Sequence, residues 1–265
     1  MTPNHNPAQQ DGFMNRLALL EPPAIHTPSV APGSPLREFE RSPDASPFDE
    51  GDDYIASLSP INYEQGYAYP LFVWLHGAGG NERHLQDVMP HISLRNYAAV
   101  AVRGPAELSP GEGFSWGDGE EHIHSATERI LQAVELAHAR FHIHPRRIFV
   151  AGHGLGGTMA IRTAWRFPEM FAGAASLAGG IHSGHRPLRN LNRMRRLPLF
   201  LASGVDGTHY SEQHVCRDLR LLHSAGAVVS ARQYPSGDEL RTPMLNDLNR
   251  WMMDIVCQNA VAVTA

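Results

Sequence analysis

The chain has 265 residues, 42% of them hydrophobic and 18% charged, with a formal net charge of -5. That length suits one large α/β domain or two small ones, and the acidic balance gives no electrostatic reason to bind nucleic acid or an anionic membrane. Two cysteines, Cys216 and Cys257, exclude a disulfide framework and fit a reducing, cytoplasmic setting; no apolar run approaches the roughly 20 residues of a membrane helix.

Residues 1–51 read as a separate Pro-rich tail. Nine of the twenty prolines fall in the first 50 residues, and the stretch ends in the acidic run DEGDD at 49–53. Such a segment buries too little apolar surface to offset its ordering entropy, so disorder is expected. Its start, MTPNHNPAQQDGF, lacks the basic and apolar regions of a secretory signal. One apolar patch, MNRLALL at 14–20, is a docking-peptide candidate inside an otherwise inert tail.

From residue 52 to 258 the pattern alternates between strands and helices, with 259–265 as a short C-terminal tail. PLFVWLH (70–76) and AAVAVRG (98–104) are continuous apolar runs, as expected of strands buried on both faces. Ser125-x-x-Glu128 has the form of a capping box and predicts a helix start there, with Pro145 as its stop. RIFVAG (147–152) predicts a third strand, and LGGTMAIRTAWRF (155–167) a helix with a small-residue face. FAGAASLAG (171–179) and LPLFLASG (197–204) predict two more strands. A helix follows from Ser211 to Ala225, then a strand over VVSARQYP (228–235), then a last helix opening at Thr242-Pro243. This alternation predicts a mostly parallel central sheet with helices on both faces.

In an open α/β sheet the ligand site lies beyond the carboxyl ends of the strands. The residues there are HGAGGNE (76–82), Arg103-Gly104-Pro105, GHGLGG (152–157), Gly204-Val205-Asp206 and Ser236-Gly237-Asp238. With the aromatic stretch GFSWGDG (113–119), this order resembles the α/β-hydrolase superfamily. More narrowly, it resembles the phospholipase/carboxylesterase group of acyl-protein-thioesterase-like serine esterases, over residues 54–257. The resemblance implies an elbow nucleophile, an acid and a histidine in chain order. Here those positions hold Gly154, Asp206 and Asp238, so only the acid remains. The oxyanion amides implied by the family would be those of Ala78 and Leu155. His76, Gly77, Arg103, Trp116 and His153 complete the candidate ligand-binding set.

The expected function is therefore that of a degenerate, non-catalytic homologue. It would keep an oxyanion-like cleft for a small carbonyl, carboxylate or acyl ligand, with no cofactor and no metal. Asp206 and Asp238 are expected to lie close enough to share a proton or attract a cation, with His209 or Glu239 nearby. A turn hydrogen bond at Asp238 is the plainer reading. The histidine pairs of HIH at 122–124 and 142–144 read as solvated, with no third ligand evident. The alternative is an active ester or thioester hydrolase using other residues, with Ser176, Ser203, Ser211 and Ser236 as candidates. A third reading is a protein-interaction module working through residues 1–50 or the arginine-rich stretch within 182–196.

Overall fold

The computed structural model describes residues 48–50, 54–181 and 195–261. The expectations placed on 1–47 and most of 182–196 lie outside the described residues. Among those described, eight strands form one sheet. They are β1 (Phe48–Glu50), β2 (Ile55–Leu58), β3 (Tyr69–Leu75), β4 (Ala98–Val102), β7 (Ile143–His153), β8 (Gly173–Leu177), β9 (Leu199–Gly204) and β10 (Val229–Tyr234). A two-stranded ribbon, β5 (Ala106–Glu107) with β6 (Phe114–Ser115), stands apart. The sheet order is β1-β2-β4-β3-β7-β8-β9-β10; the pairs from β4 through β10 are parallel and β1 and β2 are antiparallel.

The two antiparallel strands and the short helix α1 (Leu85–Ile92) have no counterpart among the elements expected from sequence. Sheet pairing starts at Phe48, inside the stretch expected to be tail.

Strand alternation divides the interior into two cores. Leu71, Val73, Leu75, Val100, Val150 and Leu201 face one side, packed by α2 (Glu120–Arg140) and α3 (Leu155–Arg166). Phe72, Trp74, Ala99, Phe149 and Phe200 face the other, packed by α1 and α5 (Thr242–Val261). This two-sided burial is why the strands read as unbroken apolar runs. The remaining helix, α4 (Glu212–Ser224), falls within the expected span Ser211 to Ala225 and adds Leu222 to the first core. No helix among the described residues is long and apolar enough to cross a membrane.

Two boundaries differ from expectation. Helix α2 begins at Glu120, capped by Gly119, so Ser125 lies inside it. The buried stripe starts at Ile123 and continues through Ala126, Ile130 and Ala137, and burial of Ile123 draws the first turn N-terminal to the capping-box signal. The helix ends at Arg140, before Pro145, which belongs to β7. There the β3–β7 register skips from Tyr69↔Ile143 to Leu71↔Ile148, and the irregularity accommodates a residue that cannot donate to a ladder.

The chain leaves β3 for β4 on one side and returns to β7 on the other. The switch point lies between β3 and β7, where the loops after Leu75 and His153 meet. Their approach depends on glycine. A Cβ on Gly156 would run into the carbonyl oxygens of Leu75 and His76, and one on Gly152 would come 2.5 Å from the Gly156 carbonyl carbon. Both obstacles are backbone and cannot move aside. Gly156→Ala is expected to lower unfolding stability by about 3 kcal/mol, the upper end of ordinary overpacking costs. Gly66→Ala, where the added Cβ meets nothing within 4 Å, is expected to stay within about 0.5 kcal/mol. Urea denaturation of the two variants checks the contrast.

Candidate functional site

The stretch between β7 and α3 makes a sharp strand-to-helix turn. Gly154 sits at its apex with φ 53° and ψ -122°, a conformation that L side chains rarely adopt. Its N–H donates to Leu177 O at 2.8 Å, and its carbonyl accepts from Thr158 N at 3.1 Å. A Cβ built on Gly154 meets nothing within 4 Å, so the apex faces open space. Leu155 is the first helical residue and is 42% exposed. Its amide belongs to the helix N-terminus, whose first N–H groups have no partner within the helix and carry the positive end of its dipole.

The opposite wall is the loop His76–Asn81. Gly79, at φ 79°, donates from its N–H to Phe114 O at 3.0 Å, and Phe114 N donates to Gly80 O at 3.0 Å. The aromatic stretch thereby holds the glycine loop in place. Trp116 adds an indole N–H bond to His76 O at 2.8 Å. His76 is fully buried; one ring nitrogen, Nε2, accepts from Gly104 N at 2.9 Å, which leaves Nδ1 as the donor to Gly77 O at 2.7 Å. Both bonds require the neutral Nδ1–H form. Burial lowers the His76 pKa from 6.5 to about 4, in keeping with that form.

Three residues expected to contact a ligand are therefore part of the frame. His76 and Trp116 are buried and bonded to backbone, and neither offers a free polar atom to the cleft. Arg103 grips Glu82 through Nε and a terminal nitrogen at 2.7 and 2.6 Å, and its guanidinium lies over the Phe114 ring. Burial acts to raise the Glu82 pKa, but the Arg103 hydrogen bonds and charge, a backbone hydrogen bond and nearby His76 together outweigh it, leaving the carboxyl below its ordinary value. The Arg103 charge is engaged by this ion pair.

Gly77, Ala78 and His153 do come together. They line a cavity of about 710 Å³ with Gly79, Gly80, Asn81, His84, Gln86 and Asp87. His153 donates from Nε2 to Asp238 O at 2.7 Å, while its Nδ1 would stand 2.7 Å from a Cβ on Gly77. The ring is a spacer between the elbow, the glycine loop and the 236–238 loop. Burial lowers its pKa, against the opposing pull of the Asp238 carbonyl.

Asp206 is exposed at the end of β9, and its N–H bonds to Ser236 O at 3.0 Å. The two loops are thus adjacent, but among the described residues no hydrogen bond joins the two carboxylates. Asp238 turns into the 208–210 loop. Its Oδ2 accepts from Thr208 N and Oγ1 at 2.8 Å each and from His209 N and Nδ1 at 2.9 Å each; its Oδ1 accepts from Tyr210 N at 3.2 Å. Desolvation acts to raise the Asp238 pKa, but these donors outweigh it and hold the carboxyl well below the usual carboxylate range. The plainer turn-bonding reading of Asp238 describes the geometry. Sequence reasoning missed the size of this cradle, for which Gly207 between β9 and the Ser211 cap was the available signal.

Of the four alternative serines, Ser176 is fully buried and donates to Gly179 O at 2.7 Å, while Ser203 and Ser236 are also buried. Ser211 lies 3.2 Å from His214 Nδ1 at the start of α4, away from any elbow turn.

Residues 51–198 match the family model described as "Putative esterase". A relative named probable carboxylesterase SOBER1-like, from Arabidopsis thaliana, is 21% identical over 75% of this chain and 83% of its own length. A probable carboxylesterase from Oryza sativa subsp. japonica is 24% identical over 68% and 75%. Among solved structures, a Mesorhizobium loti carboxylesterase superposes with a TM-score of 0.66 at 20% identity, covering 78% of this chain and 99% of that one. Zea mays acyl-protein thioesterase 2 superposes at 0.59 and 18% identity, over 76% and 98%. The structural matches show an α/β-hydrolase fold.

The buried histidines give the site a pH signature. His76 and His84 both have pKa values lowered by burial to about 4, and the His153 pKa is lowered too. On acidification the unfolded chain protonates His76 and His84 near pH 6.5, while the folded chain does not until about pH 4, and the lowered His153 acts in the same direction. Stability is therefore expected to be level above pH 6.5 and to fall between pH 6.5 and 4, with about 3 kcal/mol from His76. The Asp238 contribution is present above its unfolded pKa near 4 and is lost below it. Urea midpoints measured from pH 8 to 4 test the slope, which His76→Asn should reduce.

Proposed function

The chain belongs to the esterase family of α/β-hydrolases, and we propose that within it this protein is a degenerate member that binds where its relatives form an acyl-enzyme. The observation that carries this reading is Gly154. It holds the apex of the elbow, and glycine has no atom with which to attack a carbonyl. We assign Gly154 to the nucleophile position, Asp238 to the histidine position and Asp206 to the acid position. Loss of the serine or the histidine from such a triad costs about 10⁶-fold in kcat, roughly 8 kcal/mol of barrier.

The backbone part of the machinery does not depend on those side chains. The amides of Leu155 and Ala78 are the proposed oxyanion donors, one on a helix N-terminus and one on the glycine loop. They suit a small carbonyl, carboxylate or acyl ligand. The polar residues around the adjoining cavity, Asn81, Gln86 and Asp87, favour a short ligand over a long acyl chain. Both cysteines are free and exposed, which supports a reducing, cytoplasmic setting.

The reversal of this loss is asymmetric. At 154 a serine side chain has open space but an unfavourable φ, costing about 1–2 kcal/mol. At 238 a histidine would remove the acceptor of five hydrogen bonds, so Asp238→His is expected to unfasten the 208–210 loop.

Leu155→Pro isolates the oxyanion amide. Proline is well tolerated at the first helical position and deletes the N–H, together with a partly exposed leucine side chain. Butyrate is expected to raise the melting temperature of the natural protein by a few degrees at ten times its Kd, and Leu155→Pro is expected to abolish that shift with little change in its own unliganded stability. A fluorophosphonate probe is expected to label no serine. Serine labelling, or a p-nitrophenol burst equal to the protein concentration, would overturn the reading.

A further inference from the structure

A second cavity lies at the opposite end of the sheet, where β3 begins. Its volume is about 260 Å³, and its floor is apolar, built from Pro70 of β3 with Met253 and Val256 of α5. Strand β3 runs 7 residues from Tyr69 to Leu75, so roughly 20 Å of strand separates this cavity from the cleft. Tyr67 and Tyr69 form one wall, their rings edge to face with centroids 4.7 Å apart. Of the residues lining the cavity, only Glu64 and Arg95 carry charge, and their charges are opposite. They form no ion pair with each other. Among the described residues, neither the Glu64 carboxylate nor the Arg95 guanidinium has an ion-pair or hydrogen-bond partner.

The walls of this cavity are fastened to one another by hydrogen bonds. Ile61 N–H donates to Leu94 O at 2.7 Å and joins the 61–67 loop to the corner after α1. Ser93 Oγ accepts from the N–H groups of Arg95 and Asn96 at 3.2 and 3.1 Å and fixes that corner. Tyr97 Oη donates to Asn249 Oδ1 at 3.0 Å and joins the corner to α5. Glu64 is held at both backbone groups: its N–H donates to Tyr69 Oη and its carbonyl accepts from Tyr67 N, each at 3.1 Å. Glu64 and Arg95 therefore stand on hydrogen-bonded backbone around one preformed cavity, which lowers the ordering cost of binding there.

We propose that this cavity binds a free α-amino acid with an aliphatic side chain. The ligand carboxylate pairs with the Arg95 guanidinium, whose planar fork suits a bidentate contact. Asn96, which directs one amide hydrogen to Met253 Sδ at 3.9 Å, has a second to offer the same carboxylate. The ligand ammonium pairs with Glu64 beside the Tyr67 ring, a cation–π partner. The aliphatic side chain covers Pro70, Met253 and Val256. A simple anion would be repelled by Glu64 and a simple cation by Arg95, so the two residues together select a molecule that carries both charges. The volume, below that of drug-sized sites, suits one residue-sized molecule. This site goes beyond the cleft reading and does not depend on it.

The test is isothermal titration calorimetry of the full chain with L-leucine. The natural protein is expected to bind one equivalent. L-Leucinamide, which lacks the carboxylate, and N-acetyl-L-leucine, which lacks the ammonium, are expected to bind about tenfold or more weaker. Arg95→Gln should lose the preference for leucine over leucinamide, and Glu64→Gln the preference for leucine over N-acetyl-leucine. Both residues are exposed, so unchanged melting temperatures should accompany these losses. No binding of L-leucine at tens of millimolar, or equal affinity of the natural protein for the three compounds, overturns the assignment. Leucine binding that survives both substitutions but is lost in Leu155→Pro belongs to the cleft and overturns it as well.

Discussion

The close approach of α3 to the ends of β3 and β7 is the constraint on which the site depends. Helix α3 can lie there only because Gly152 and Gly156 have no Cβ to collide with the surrounding backbone. That approach brings a helix N-terminus to the topological switch point and sets it against the glycine loop after β3. The oxyanion donors proposed for this cleft are backbone groups that this contact positions. A binding site made of amides does not disappear when side chains change, because the fold itself supplies its donors.

Around this contact, most of the polar side chains serve the frame. Neutral His76 bridges two loops, Trp116 bonds the carbonyl of His76, and Arg103 is joined to Glu82 beneath the Phe114 ring. Burying these groups requires that each be bonded, and once bonded they are not available to a ligand. His153 belongs to the same frame, tying the elbow to the loop of Asp238. The open apex at Gly154 is unusual here because it lacks a tenant.

Asp238 fastens the loop after β9. Its carboxylate gathers three consecutive backbone amides, a hydroxyl and an imidazole from the 208–210 loop. The charge-assisted bonds stabilise the loop and at the same time orient His209. In this structure the Asp238 carboxylate is a loop anchor.

The two-sided apolar strands, the alternation with helices and the glycine-rich turns were legible in the chain, because buried parallel strands and close backbone contacts demand particular residue types wherever they occur. The absence of a side chain at Gly154 is likewise a fact of the sequence. The start of α2 was misplaced because a local cap signal at Ser125 competed with burial of Ile123, and burial is decided by the whole sheet. The partners of Arg103, His76 and Trp116, and the turn of Asp238 toward His209, were decided only by tertiary structure. A sequence lists which groups can donate and accept, but hydrogen bonds are made over about 3 Å, and only the folded chain sets which groups come that near.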